Sequence, residues 1–142
     1  MNFELLHPAD QLVIMMERIY QYGMTTTSGG NLSIRTPEGD IWITPGSIDK
    51  GNLRREDMVH VLPDGQIIGR HKPSVELPFH QQIYKLRPDL SAVLHAHPPA
   101  LVAFSNVSRI PDTHIIPNVD LVCGRVGFAP YAIPGSKELG DK

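Results

Sequence analysis

Turn residues divide this chain into short segments, and that division limits the available folds more than any other feature. The 142 residues include 13 prolines and 12 glycines, and both residue types interrupt regular structure. Between these breaks, helix-like and strand-like segments alternate. The pattern predicts an α/β protein in which residues 1–142 form a single domain of mixed strands and helices.

Length and charge exclude several classes of protein. A chain of this size buries roughly two thirds of its unfolded surface, so its core needs no disulfide, and Cys123 is the single cysteine. The 13 Lys and Arg residues are scattered and nearly balanced by 15 Asp and Glu residues. This argues against nucleic-acid and membrane partners. The aliphatic run at residues 12–16 is too short to span a bilayer. We expect a cytoplasmic protein.

Hydrophobic spacing and turn chemistry predict the order of the elements. A first helix is predicted between Asp10 and Gly23, with one apolar face made by Leu12, Val13, Met16, Ile19 and Tyr20. Two hairpins are expected, from strands at 32–35 and 41–44 and from strands at 58–62 and 66–68.

The second half of the chain predicts a helix, a strand and further short elements. A helix is expected to open at residues 73–76, with Ser74 as its cap, and to end near Arg87. A buried strand is expected at 90–97, with Leu94 and Ala96 packed inward, then a short helix at 100–106. Strand and loop are expected after it, with another helix beginning at 136–142.

His95 and His97 form the sharpest local motif. Residues i and i+2 of a strand point to one face, so two imidazoles there can converge on one metal ion. Alone, the pair is equally typical of two hydrogen-bonded, partly buried histidines. Glu76 could act as a general base beside such a metal, although a glutamate in a first helical turn often only favours the helix dipole. His80 is expected to be mainly structural.

Small polar loops supply the third feature. Residues 28–31 (SGGN) and 44–47 (TPGS) offer backbone N–H groups and hydroxyls, and Ser74 stands near a predicted helix start. Anions bind such groups, so Ser28 and Ser47 join the candidate phosphate ligands. Any one of these loops alone is more typical of a simple turn.

Read in order, these motifs resemble the class II aldolase/adducin family. The matching segments are 29–35 (GGNLSIR), 43–45 (ITP), 72–76 (KPSVE), 87–89 (RPD), 95–98 (HAHP), 129–131 (APY) and 135–139 (GSKEL). The resemblance implies a three-layer α/β/α fold with a central mixed, largely antiparallel sheet. It also implies a divalent metal, with zinc the first choice, and a homo-oligomer, a tetramer in the family.

Carried over residue by residue, the resemblance assigns roles within the candidate site. His95 and His97 match two metal ligands, Glu76 matches the acid/base, and the phosphate positions are Gly30, Asn31, Thr44 and Ser74. The family's third histidine lies beyond a further helix, and this chain stops before that point, which predicts a missing C-terminal part. Where the aldolases have Ser-Ser-Glu and Thr-Pro-x-Gly, this chain has 74–76 (SVE) and 44–47 (TPGS).

The predicted function is therefore a metal-dependent lyase. It would cleave a small, phosphorylated hydroxy-carbonyl sugar through a metal-stabilised enediolate. Two alternatives remain open from the residues. One is a non-catalytic, adducin-like interaction module or inactive fragment. The other is an epimerase, dehydratase or decarboxylase, because these reactions share the same metal chemistry.

Overall fold

Helices and strands interleave along the whole chain. The computed structural model describes residues 2–115, 117–124 and 126–142. Its elements, in chain order, are α1 (Pro8–Gln21), β1 (Asn31–Arg35), β2 (Ile41–Ile43), β3 (Val59–Val61), β4 (Ile67–Ile68), α2 (Leu77–Leu86), β5 (Ala92–His95), α3 (Pro99–Asn106), α4 (Pro117–Cys123) and α5 (Lys137–Asp141). Single 3₁₀ turns lie at Phe3–Leu5, Lys50–Asn52, Arg55–Asp57 and Thr113–Ile115.

The strands form one five-stranded antiparallel sheet in the order β4-β3-β2-β1-β5. Both predicted hairpins, β1 with β2 and β3 with β4, are confirmed. The pairing of β1 with β5 joins segments far apart in sequence, and its register sets Asn31 opposite His95. The sheet therefore places two candidate site residues on neighbouring strands.

Helices cover both faces of the sheet. On one face, Leu12 and Met16 of α1 pack with Leu32 of β1 and with Met58. On the other, the buried side chains come from β2, β3 and α2, namely Ile41, Ile43, Val59, Val61, Leu77 and Tyr84. Successive strand residues point to opposite faces, so one sheet serves two cores. The predicted helix–sheet–helix layering is confirmed.

Helix α1 begins and ends as predicted. His7 caps it by accepting a hydrogen bond from the Ala9 N–H, Pro8 occupies its first turn, and Asp10 places a carboxylate where the helix dipole favours negative charge. Beyond its end, Gly23 adopts φ +65°, the left-handed conformation in which helices commonly stop. Of its four buried residues, Leu12, Met16 and Ile19 belong to the predicted face, and Ala9 lies before it.

Three predictions about the second half of the chain are wrong. Helix α2 begins at Leu77 with Glu76 at its cap position, so Ser74 lies before the helix and instead accepts a hydrogen bond from the Glu76 N–H. The strand predicted as buried is the edge strand β5, and its Leu94 is 52% exposed because α1 packs on β1 and β2. The segment Pro117–Cys123, expected to be strand or loop, is a helix that starts at a proline, a favoured first position.

Other expectations about this half agree with the structure. Ala96 packs inward against the α1 core, and α3 forms where a short helix was predicted. The final segment begins a helix at Lys137, and the Ser136 hydroxyl caps it. None of the described helices is both long and apolar enough to cross a membrane.

Candidate active site

The candidate site is assembled at the end of the β1–β5 ladder, where Glu76 meets both strands. His95 donates Nδ1–H to Glu76 Oε2 at 2.5 Å, and Asn31 donates Nδ2–H to the same oxygen at 2.5 Å. Glu76 is positioned by its place just before α2, whose first turn holds Leu77 in the core. Three segments distant in sequence thus meet at one carboxylate oxygen.

His97 joins this group although β5 ends at His95. Its backbone N–H donates to the Met24 carbonyl at 2.7 Å, which fixes the chain just after the strand. The Nε2 atoms of His95 and His97 lie 3.1 Å apart. The predicted convergence of the two imidazoles is present, and a backbone hydrogen bond outside the strand maintains it.

The two imidazoles have the chemistry of metal ligands. Because His95 donates Nδ1–H to a carboxylate, its Nε2 carries the lone pair, the arrangement in which metal-binding histidines are usually oriented. Two nitrogens bound to one tetrahedral zinc ion at about 2.0–2.1 Å would lie about 3.3 Å apart, close to the observed 3.1 Å. Over residues 2–115, 117–124 and 126–142, no group of three or more His, Cys, Asp or Glu side chains is placed to hold a metal. The pair therefore suits two ligands of a larger set.

Glu76 is held as a carboxylate. The hydrogen bond from His95 lowers the pKa of Glu76 most strongly. Burial opposes that effect and the hydrogen bond from Asn31 adds to it, which leaves a pKa of about 2. The side chain is buried. An ionised carboxylate with fixed donors is oriented to accept a proton.

His80 links the site to the core behind it. Its Nε2–H donates to Asn31 Oδ1 at 2.5 Å, and its Nδ1 accepts from the Ser33 hydroxyl at 2.6 Å. Ser33 in turn lies 2.7 Å from the Tyr84 hydroxyl. Burial lowers the pKa of His80 to about 4, so the ring is neutral near pH 7. His80 is structural as expected, and it also orients Asn31, a link that its i+4 spacing from Glu76 did not reveal.

The glycine pair at 29–30 allows a loop to lie against both histidines. A Cβ at Gly29 would come within 2.8 Å of His97 Nδ1, and one at Gly30 within 2.8 Å of the His95 carbonyl oxygen. Gly30 also adopts φ +68°, which side chains disfavour. The sequence motif therefore serves close backbone approach.

The other predicted phosphate loop is tied to the segment before α2. Pro45 and Pro73 form an antiparallel bridge, Gly46 N–H donates to the Lys72 carbonyl at 3.0 Å, and Ser74 N–H donates to the Thr44 carbonyl at 3.2 Å. The N–H groups of Gly46 and Ser74 were expected to be available to an anion, but both already donate to backbone carbonyls. Their hydrogen bonds hold the loop in place beside Ser74.

One cleft of about 630 Å³ collects most of the predicted site. Its walls include eight of the nine predicted residues, namely Ser28, Gly30, Asn31, Ser47, Ser74, Glu76, His95 and His97. Thr44 stands behind the wall, fully buried, and its hydroxyl accepts a hydrogen bond from the Leu32 N–H at 3.1 Å. The segment around Tyr131 and Ala132 closes another side.

The comparisons place the chain in a family. A sequence model of the class II aldolase and adducin N-terminal domain matches residues 10–142. The chain therefore belongs to the class II aldolase/adducin family, as the motifs predicted, and its fold is that of this family. Curated relatives in this family are sugar-phosphate aldolases, a dehydratase and decarboxylases, and its members generally use a divalent metal ion.

Two curated relatives illustrate the range of reactions. The 3-oxo-tetronate 4-phosphate decarboxylase of Escherichia coli K12 is 31% identical over 93% of this chain, which spans 64% of the relative. The 5-methylthioribulose-1-phosphate/5-deoxyribulose-1-phosphate aldolase of Rhodospirillum rubrum is 33% identical over 90% of this chain and 58% of its own length. This chain thus spans less than two thirds of either relative.

Solved structures agree on the fold. A structure of L-fuculose 1-phosphate aldolase matches 94% of this chain and 64% of its own, with a TM-score of 0.82 and 27% identity. The Escherichia coli protein YgbL, a candidate aldolase, epimerase or decarboxylase, matches 94% of this chain and 66% of its own, with a TM-score of 0.81 and 30% identity.

Proposed function

We propose that the cleft is the active site of a metal-dependent lyase that cleaves a carbon–carbon bond in a small, phosphorylated hydroxy-carbonyl compound. One observation carries the proposal. The Glu76 carboxylate is fixed by His95 in the same cleft where His95 and His97 present converging nitrogens. A carboxylate base beside two metal-ligating imidazoles is the combination that such chemistry requires.

His95 and His97 would hold the divalent ion, and we propose zinc. When bound, such an ion polarises substrate oxygens and stabilises negative charge on them. The hydrogen bond from His95 Nδ1–H to Glu76 fixes the tautomer that leaves Nε2 as the ligand atom. The remaining ligands would come from water, substrate or protein beyond these two histidines.

Glu76 would act as the acid/base that accepts a proton from the substrate and returns it. Among the described residues, two side chains donate to the Glu76 carboxylate and both bonds end on Oε2, so we assign proton transfer to Oε1. Its fixed orientation lowers the entropic cost of reaching a reactive geometry. We place the phosphate end of the substrate near the Ser28, Ser47 and Ser74 side chains, which line the same cleft. Gly30 and Asn31 complete that wall.

The relatives leave the reaction open among aldol cleavage, decarboxylation and dehydration. We propose carbon–carbon cleavage because the aldolase and decarboxylase relatives both break such a bond, and the assay separates these two reactions. Ketose 1-phosphates would release dihydroxyacetone phosphate on cleavage, whereas 3-oxo acid phosphates would release carbon dioxide. If the substrate stays unchanged with zinc present, the result favours the adducin-like, non-catalytic alternative. Conversion of the substrate without either product would instead indicate dehydration or epimerisation.

The decisive variant is Glu76→Gln, which retains an oxygen for His95 and removes the base. We expect it to lower kcat by about 10²–10⁴-fold and to leave zinc binding intact. Glu56→Gln is the matched control, because Glu56 is exposed and lies outside the cleft. Equal activity in both variants would contradict the role of Glu76. A cytoplasmic, homo-oligomeric protein whose 142 residues form one domain remains a prediction.

A further inference from the structure

Lys50 is the most deeply buried charged side chain in the wall of the cleft. It follows the loop at residues 44–47 and begins the 3₁₀ turn Lys50–Asn52, and it is only 2% exposed. Its backbone N–H donates to the Thr27 carbonyl at 2.8 Å, and its ammonium donates to the Pro45 carbonyl at 2.5 Å. Lys50 is therefore bonded both to the loop at residues 44–47 and to the residue that precedes the loop at residues 28–31.

The structure gives this ammonium too few partners for its burial. An ammonium has three protons to donate, and among the described residues Lys50 uses one of them, in its hydrogen bond to the Pro45 carbonyl. Among the described residues, no carboxylate lies within 4.0 Å of it, and the neighbouring Asp49 side chain instead accepts from the Gly51 N–H. Burial lowers the pKa of Lys50, and Asp49 opposes this only in part. A buried cation without an anion is destabilising, and a bound anion would offset that effect.

Two other candidate anion donors nearby are already engaged. The Gly46 and Ser74 N–H groups are already bonded to carbonyls of the Lys72 and Thr44 residues. Of the described residues that line the cleft, Lys50 alone is a lysine or arginine. Among the described residues, the Glu76 carboxylate is bonded to His95 and Asn31 and forms no ion pair with Lys50, so the cation and the proposed base need not compete.

We propose that Lys50 is the cationic ligand of the substrate's phosphate group, using protons that Pro45 does not engage. This inference rests on the proposed function and adds a positive charge to the phosphate anchor proposed there. The hydroxyls of Ser47 and Ser74, which share the cleft with Lys50, would donate to the remaining phosphate oxygens. Charge-assisted hydrogen bonds of this kind are about twice as strong as neutral ones.

Titration of inorganic phosphate into the full 142-residue chain, followed by calorimetry, tests the inference without any substrate. Lys50→Gln retains a donor for the Pro45 carbonyl and removes the charge. We expect it to weaken phosphate binding about 10- to 100-fold. Lys72→Gln is the matched control, with the same chemical change at an exposed side chain near the cleft, and we expect its dissociation constant to stay within about twofold.

A second measurement covers the case in which Lys50→Gln does not fold. In the unaltered chain, NMR of lysine side chains should show the Lys50 ammonium shift on addition of phosphate while that of Lys72 stays fixed. Acetate serves as the carboxylate probe, and we expect weaker binding than for phosphate.

The outcomes separate this inference from the proposed function. Equal phosphate affinity in the wild-type protein and Lys50→Gln would overturn the role of Lys50 and leave the metal site and Glu76 untouched. Acetate binding as tight as phosphate would overturn the phosphate assignment. If the wild-type protein binds no phosphate, the inference fails together with the phosphate anchor, whereas the metal titration described below still tests the catalytic centre.

Discussion

The His80 ring connects a buried hydroxyl pair to the carboxylate of the site through hydrogen bonds of one consistent direction. Glu76 only accepts, so Asn31 must present its NH₂ group to Glu76 and its oxygen to His80. His80 must then donate from Nε2 and accept at Nδ1 from Ser33. The chain of bonds permits one tautomer and one amide orientation, and it keeps Glu76 in a single position.

This arrangement predicts a pH-dependent stability. The pKa of His80 falls from 6.5 to about 4 in the folded protein, chiefly through burial. The unfolded chain therefore binds a proton first as pH falls, and stability is lost below pH 6.5. Between pH 7 and 5 we expect the His80 contribution to the free energy of unfolding to fall by about 2 kcal/mol. The titratable groups that act electrostatically on His80 are His95 and Glu76.

Urea unfolding at pH 7, 6 and 5 measures this effect. His80→Gln should flatten the pH dependence, because glutamine does not titrate. His114→Gln, at a residue that is exposed and does not line the cleft, should retain it. A pH dependence unchanged in His80→Gln would show that His80 is not the group responsible.

At the residue scale, the sequence predicted the groups that belong to a motif and missed those that depend on burial. His95, His97 and Glu76 stand in recognisable spacings, and the structure brings them together. Lys50 belongs to no such motif. It was missed because its proposed role depends on the burial of its side chain, which is 2% exposed in the wall of a cleft. Thr44 matches a family position, but its hydroxyl is used by the Leu32 N–H.

The loop at residues 28–30 and strand β5 depend on each other. Gly30 lies over the His95 carbonyl with φ +68°, so the loop reaches the histidines because position 30 lacks a side chain. Gly65 has a similar conformation, φ +88°, but a Cβ there would meet no atom within 4 Å. A comparison of positions 30 and 65 can therefore separate the cost of backbone strain from the cost of a side chain that collides with its neighbour.

Replacing each glycine by alanine should therefore give different losses. Gly65→Ala carries the left-handed strain alone, about 1–2 kcal/mol. Gly30→Ala adds a Cβ 2.8 Å from a backbone oxygen, so we expect a loss greater by about 1 kcal/mol or more. Chemical denaturation measures both, and hydrogen exchange should quicken at the β1–β5 amides in Gly30→Ala only. Equal losses would show that the loop moves away at no cost.

At the element scale, local chemistry predicted the hairpins and helix α1 because turn residues and caps mark their ends. The start of α2 was missed because Glu76, rather than Ser74, holds the cap position. The exposure of β5 was missed because an edge strand and a central strand can share the same apolar pattern. Helix packing decides between them, and that depends on distant residues.

At the scale of the whole molecule, one cleft gathers eight of the nine predicted site residues, while its described residues hold two of the metal ligands that the account requires. The chain spans 64% of the decarboxylase relative that it matches, and the described residues supply two converging imidazoles without a third donor in place. The layered fold and the family followed from the order of motifs along the chain. The source of a further metal ligand could not be predicted, because no motif in this sequence marks one.

The central claim is that His95 and His97 form a metal site in this cleft. Titration of Co²⁺ into the 142-residue chain, followed by its visible absorption and by calorimetry, tests it directly. We predict saturable binding of one ion per chain, lost in His95→Ala and in His97→Ala and retained in His114→Ala, and displacement by zinc. Absence of saturable binding, or binding that survives both cleft substitutions, would contradict the account.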